Sequence, residues 1–284
     1  MLSDVTDLLA CPQCASAVEL ETDGGAKVLV CVLGHRFDVA RQGYVSLVSG
    51  APSKFEGDTS DMLEARARFL DAGHYDPLVS AVAAVVDRDD HSGQGPRVLE
   101  VGAGTGHYLA GVLDRSAGSR GVGLDVSKYA ARRIAKSHPR VGAVVADAWA
   151  GLPLRDRAMT DVLCVFAPRN AGESHRVLAP GGRLTVLTPT GRHLSELIDA
   201  FGMVNVDERK VERLDAATAE HFAPAQRTDV EFSMTLTHAD VVRVVGMGPT
   251  ARHLGPDALS AKVAELPQPA TVTASVTVST YERH

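Results

Sequence analysis

Residues 98–108 constrain the fold more than any other stretch. Val98, Leu99 and Val101 form an apolar, β-prone run. Gly102, Gly104 and Gly106 then alternate with Ala103 and Thr105, and an apolar segment follows at 108–113. This reads as strand, tight turn and helix. Glycines let the backbone turn sharply and approach a ligand with no Cβ in the way, and a helix N-terminus supplies unpaired N–H groups. A nucleotide-like ligand is expected on the turn. The dinucleotide fingerprint fails, because His107 stands where its third glycine belongs.

The 284 residues, 45% of them hydrophobic, leave room for one large domain with an appendage or two modest domains. A formal net charge of −6 excludes a broadly basic nucleic-acid coat, so any RNA contact must come from local patches. No apolar run reaches about 18 residues and no basic region precedes an apolar signal core, so a soluble, cytoplasmic protein is expected. Four cysteines are too few for a disulfide framework in a chain this long.

Three of those cysteines have ligand spacing. Cys11-Pro12-Gln13-Cys14 is followed by Cys31 and His35, with two strands expected at 17–20 and 27–30 around a turn at 21–25. Cys11, Cys14, Cys31 and His35 complete a zinc tetrahedron and leave no open position for water, so the metal is expected to be structural. Cys164 reads as an inert core thiol. Residues 35–47 mix basic and aromatic side chains, a composition that suits single-stranded RNA. Packing of Phe37, Tyr44 and Leu47 onto the ribbon is the competing reading, and composition does not separate the two. Residues 49–58 read as a linker.

A helix is expected from residue 59 or 60 to 71, with Glu64 placed to help cap it and Arg66 and Arg68 on it. A second helix is expected at 77–86, then a polar stretch at 87–96. From residue 97, strands at 97–101, 121–126, 142–146, 161–166 and 183–188 alternate with helices, as in a doubly wound α/β sheet. The expected organisation is a zinc ribbon at 1–48, a linker and covering helices at 49–96, and a sheet domain at 97–284. Asp125, about 20 residues after the glycines and at the end of the second strand, is the expected partner of ribose hydroxyls. The helix at 127–139 carries Lys128, Arg132, Arg133 and Lys136, with Arg140 just beyond. It is either a solvated face or a grip for phosphates. A helix near 191–197 starts at the same cleft, and on position alone His193 is either a contact for cofactor or substrate or a surface histidine. A strand at 230–237, helices at 239–247 and 257–266, and a strand at 271–281 supply a late antiparallel strand.

Glu100-x-Gly102-x-Gly104-x-Gly106, with Leu178-Ala179-Pro180-Gly181-Gly182 before the fifth strand, resembles class I S-adenosylmethionine (SAM) methyltransferases. That resemblance implies Glu100 near the methionine end of the cofactor and Asp147 at the adenine amino group. The loop at 167–170 sits where amino-methylating enzymes hold their acceptor nitrogen, although it is not their Asn-Pro-Pro-Tyr sequence. A narrower likeness rests on the zinc ribbon, on His35-Arg36-Phe37-Asp38-Val39-Ala40-Arg41-Gln42-Gly43-Tyr44 and on Asp61-Met62-x-x-Ala65-Arg66. It continues through Phe69-Leu70-Asp71-Ala72-Gly73-His74-Tyr75 and Phe166-Ala167-Pro168-Arg169-Asn170. These motifs resemble bacterial 23S rRNA (guanine-N1)-methyltransferases, and with Met247-Gly248-Pro249 they resemble the actinobacterial branch that includes tylosin-resistance enzymes. The resemblance implies zinc on Cys11, Cys14, Cys31 and His35 and SAM contacts at Tyr75, Gly104, Thr105 and His193. It also implies a homodimer, and a target guanine in an rRNA hairpin loop beside the peptide exit tunnel, where macrolides bind.

Guanine N1 is protonated at neutral pH and hidden inside a duplex, so the target must be a loop or flipped base whose proton is lost as attack proceeds. Asn170, Asp147 and His193 are reachable, and none is assigned as the base. Two other classes compete: a small-molecule SAM methyltransferase, and a non-catalytic zinc-ribbon RNA-binding protein.

Overall fold

A computed structural model describes residues 1–48, 57–86, 95–203 and 209–284. Most of the expected linker and of the polar stretch at 87–96 lies outside them. In chain order the strands are β1 (Val18–Asp23), β2 (Ala26–Cys31), β3 (Arg36–Asp38), β4 (Tyr44–Ser46), β5 (Arg97–Val101), β6 (Arg120–Asp125), β7 (Val141–Val145), β8 (Met159–Val165), β9 (Leu178–Pro189), β10 (Phe222–Leu236) and β11 (Ala270–Arg283). The helices are α1 (Ser60–Asp71), α2 (Asp76–Val86), α3 (His107–Arg115), α4 (Lys128–Ser137), α5 (Ala171–Val177), α6 (Ser195–Phe201), α7 (Lys210–Thr218), α8 (His238–Gly246) and α9 (Pro256–Ala264).

β1, β2 and β3 form a small antiparallel sheet. Its hairpin is tighter than expected, because Gly24 and Gly25 both take positive φ (56° and 87°) and close a two-residue turn. The chain then leaves the ribbon. β4 runs parallel to β7 and becomes the edge of an eight-stranded sheet ordered β10-β11-β9-β8-β5-β6-β7-β4. Tyr44 and Leu47 are buried there, so packing is their role and the base-stacking reading does not hold for them. Phe37 packs partly buried against the same core.

The N-terminal segment forms two single 3-10 turns, Leu2–Asp4 and Thr6–Leu8. They bury Leu2, Val5 and Leu8, and Leu9 just beyond, on the large sheet. Gly142 makes room for them: a Cβ there would stand 2.2 Å from Val5 Cγ2.

The middle strands are apolar on both faces because helices cover both sides. β11 runs antiparallel to both β9 and β10, the late reversal expected. β10 starts eight residues earlier than expected. Gln226, Arg227, Thr228 and Asp229 hide it from an apolar-pattern reading, since an edge strand needs only its partner's hydrogen bonds. Helix α7 was not anticipated, and its mixed composition gives little apolar periodicity. α1 is capped by Thr59, whose hydroxyl accepts the Met62 N–H at 3.3 Å. Glu64 instead pairs with Arg68 and Arg133, tying α1 to α4.

α4 lies on β6 through Gly123, where a Cβ would come within 2.4 Å of Ile134 Cγ2. Gly123→Ala should therefore overpack this contact and cost about 1–3 kcal/mol. Urea unfolding should show a lower midpoint with an unchanged slope.

Candidate functional site

β5 enters the glycine turn at the carboxyl end of the sheet, where doubly wound folds place ligands. Gly102, Gly104 and Gly106 all have positive φ: 67°, 55° and 76°. Gly102 is doubly required, since a Cβ would stand 2.8 Å from that of Ala167 in the loop after β8. Two carboxylates clamp the turn. Glu100, 1% exposed, accepts the Leu109 N–H on Oε2 at 3.0 Å and caps α3, whose own N-cap residue Gly106 has no side chain to do so. Burial pushes the Glu100 carboxyl up to about 8. Asp125 accepts the Gly104 N–H on Oδ2 and the Ser127 N–H on Oδ1, both at 2.9 Å. Each of its oxygens keeps a second lone pair, and burial raises its pKa.

Above the turn is a cavity of about 610 Å³, a size ordinary for a small-molecule cofactor. Glu100, Gly102, Thr105, Asp125, Asp147, Tyr75 and His193 line it. Gly104 sits behind this lining with its amide on Asp125. α1 and α8 supply the facing wall through Met62, Arg66 and Val244, with Met247 just past α8. Arg66 pairs with Asp58 at 2.7 Å and donates to the Met247 carbonyl at 2.9 Å, which fastens that wall.

One hydrogen-bond chain fixes a tautomer. His193 Nδ1 accepts the Ser275 N–H at 3.2 Å, so Nε2 carries the proton and donates to the Tyr75 hydroxyl oxygen at 3.2 Å. The Tyr75 O–H is then left to donate elsewhere. Burial, with Lys210 nearby, lowers His193 to about 4, and burial raises the Tyr75 phenol, so both stay neutral at physiological pH.

Several expected roles change. Asn170 does not line the cavity: it caps α5 by accepting the Glu173 N–H at 3.2 Å and donates to the Ala148 carbonyl at 3.1 Å. Of the basic residues near α4, Arg133 is held by Glu64. Arg140 donates to the Ser116, Ser119 and Leu113 carbonyls beyond and at the end of α3. Lys128, Arg132 and Lys136 remain exposed on α4. Trp149, 51% exposed, also lines the cavity beside Asp147, and sequence reasoning passed over it although it is the chain's only tryptophan.

At the ribbon, Cys11, Cys14, Cys31 and His35 present ligand atoms within 4.8 Å of one another. Cys14 Sγ lies 3.7 Å from Cys31 Sγ, and His35 Nδ1 lies 3.5 Å and 3.3 Å from the Cys11 and Cys31 sulfurs. A zinc tetrahedron needs S···S near ~3.8 Å and S···N near ~3.5 Å, so the residues fit the ion. The Ser16 hydroxyl, 3.1 Å from Cys14 Sγ, lowers that thiol to about 6 and favours the thiolate.

Residues 98–182 match the methyltransferase domain family, and residues 9–49 match the family described as RlmA, N-terminal. The Streptomyces fradiae 23S rRNA (guanine(748)-N(1))-methyltransferase is 45% identical over 277 residues, spanning 98% of this chain and 97% of that one. A Micromonospora griseorubida protein, named as a candidate 23S rRNA (guanine-N(1)-)-methyltransferase, is 44% identical over 99% of both chains. The chain belongs to the 23S rRNA (guanine-N1)-methyltransferase family. It is thus a SAM-dependent enzyme of the class I fold preceded by a zinc ribbon. Among its described residues no helix is long and apolar enough to cross a membrane.

Metal analysis of the purified enzyme should find one zinc per chain, and Cys31→Ala should abolish its retention. A second test concerns Glu100. The folded chain keeps a proton on it up to about pH 8, whereas the unfolded chain releases that proton near its ordinary value of 4.5. This group's contribution to stability is therefore fully present below pH 4.5 and declines as pH rises toward 8, by at most ~1.4 kcal/mol per pH unit. Glu100→Gln keeps an acceptor for Leu109 and should flatten that slope in urea titrations of the cofactor-free enzyme.

Proposed function

We propose that the enzyme methylates N1 of the 23S rRNA guanine equivalent to position 748 of its Streptomyces fradiae relative, in a hairpin loop by the macrolide site. The observation that carries this reading is near-full-length identity of 44–45% in a chain that keeps both the ribbon's ligand set and an intact cofactor cleft. rRNA is the partner, and the cytoplasm is where the enzyme meets it.

SAM, when bound, supplies an activated methyl on a sulfonium. The chain's residues position the reactants and exclude water. The turn at Gly102, Gly104 and Thr105 lets the backbone come close to the cofactor. The spare lone pairs of Asp125 would accept from the ribose hydroxyls, and Asp147 would meet the adenine amino group. At the other end, the Tyr75 O–H, with His193 holding the phenol in place, would donate to the cofactor's carboxylate. Glu100 shapes this end from beneath, kept protonated by its burial while it accepts the Leu109 N–H. His193 has both nitrogens committed and Asn170 is a helix cap, so neither is free to take the N1 proton. Alignment is then the main source of rate, with the proton passing to solvent or to the RNA as O6 charge develops.

Two measurements test the reading. Primer extension on rRNA treated with enzyme and SAM should give one new stop at this loop guanine, because an N1 methyl blocks the pairing edge. No stop from an enzyme that binds SAM would overturn the assignment. Tyr75→Phe should weaken SAM binding at least tenfold by calorimetry, as expected for a lost hydrogen bond to a charged group.

A further inference from the structure

A second cavity, of about 190 Å³, adjoins the cofactor cleft and shares Phe166 and Ala167 with it. The mechanism above leaves it without a role. Arg169, Lys210 and Thr188 line it at the carboxyl ends of β8 and β9. Thr188 is 2% exposed, and its hydroxyl makes no hydrogen bond among the described residues. Buried hydroxyls normally find partners, and this one is open to hydrogen-bond a group entering the cavity. Neither Arg169 nor Lys210 forms an ion pair among the described residues. Burial lowers the Lys210 pKa, and Arg169 and Arg213 lie close enough to lower it further. Arg169 and Lys210, two cations side by side with no ion pair of their own among the described residues, would be relieved by an anion.

Phe166 stands between the two cavities. It is 42% exposed, unusual for a large apolar ring, and its backbone is in the left-handed region at φ 51°. Its N–H donates to the Leu187 carbonyl at 3.2 Å, which holds that conformation. The ring centroid lies 5.5 Å from His193 and 6.4 Å from Tyr75. An exposed aromatic face with the methyl-donor cleft on one side and paired cations on the other matches the two halves of a nucleotide.

We propose that the small cavity is a phosphodiester site: Arg169, Lys210 and the Thr188 hydroxyl hold a phosphate beside the extruded target nucleotide, and Phe166 supports its base at the cofactor cleft. The proposal rests on the rRNA reading above and extends it to the residues that seat the substrate. The ligand is the backbone of unpaired RNA, since a duplex would not present base and phosphate to these two cavities at once.

The test is steady-state kinetics on a transcript of the target hairpin across a salt series, with SAM affinity measured separately. The double variant Arg169→Gln and Lys210→Gln should raise KM for RNA at least tenfold while SAM affinity stays within twofold. The dependence of log(kcat/KM) on log salt should become shallower by ~1.4, for two contacts at ~0.7 each on unpaired RNA. Thr188→Val keeps the shape and removes only an unmet hydroxyl, so it folds at least as well, and it should raise KM severalfold with kcat unchanged. Phe166→Leu should lower kcat/KM about tenfold, and Phe166→Tyr should recover most of it. Wild-type KM and salt dependence in both the double variant and Thr188→Val would overturn the phosphate site while leaving the rRNA reading intact. A wild-type enzyme that methylates no hairpin would overturn both.

Discussion

The hydrogen bond from the Leu109 amide to the buried Glu100 carboxyl is the contact on which the site depends. It crosses from β5 to the first turn of α3 and sets where that helix begins, and so where the glycine turn can run. Asp125 performs the matching task on the other side, drawing the Gly104 amide toward the end of β6 and the Ser127 amide toward the start of α4. Two acidic residues thus join β5, α3, β6 and α4 around one cavity by holding backbone N–H groups. The cost is a buried carboxyl. Protonation offsets that cost at Glu100, whereas two backbone donors offset it at Asp125.

This double duty explains which parts of the site were legible. The glycines, Glu100, Asp125 and Asp147 are readable because each sits at a strand end whose geometry is common to the fold, and seven of the eight expected cofactor residues line one cavity. Spacing says where such residues stand, but it does not say what a long side chain does after folding. Arg133 and Arg140 look like neighbours of Arg132 in a basic stretch, yet one braces α1 and the other caps carbonyls at and beyond the end of α3. Asn170 looks like an acceptor-site amide and is a helix cap. Arg66 closes the cleft by reaching residues far away in sequence, which no local pattern announces.

The N-terminal segment shows the same limit at the level of elements. Four ligands at two turns announce a zinc ribbon, and a sheet this small needs the ion because it has little apolar surface to bury. What the pattern hides is that the chain past the ribbon returns as β4 and pairs with β7, while Leu2, Val5 and Leu8 pack on the same large sheet. β4 is three residues long and mixes Tyr, Val and Ser, too short for periodicity to reveal. The ribbon is therefore anchored at both of its ends. Any RNA it touches is held at a set distance from the cavity above the glycine turn.

Charge then decides how such a molecule can recognise RNA at all. With a formal net charge of −6, the protein's overall field repels a polyanion and supplies little of the long-range attraction common in nucleic-acid binders. Several arginines are moreover spent inside the fold. Affinity must come from short-range matches, in which an RNA of one shape brings a phosphate to Arg169 and Lys210 and an unpaired base to Phe166. Each match alone is weak, and a helix with no extruded base forfeits the central one. A chain that cannot bind RNA by charge alone is selective for that reason, because only the correct loop satisfies all its contacts together.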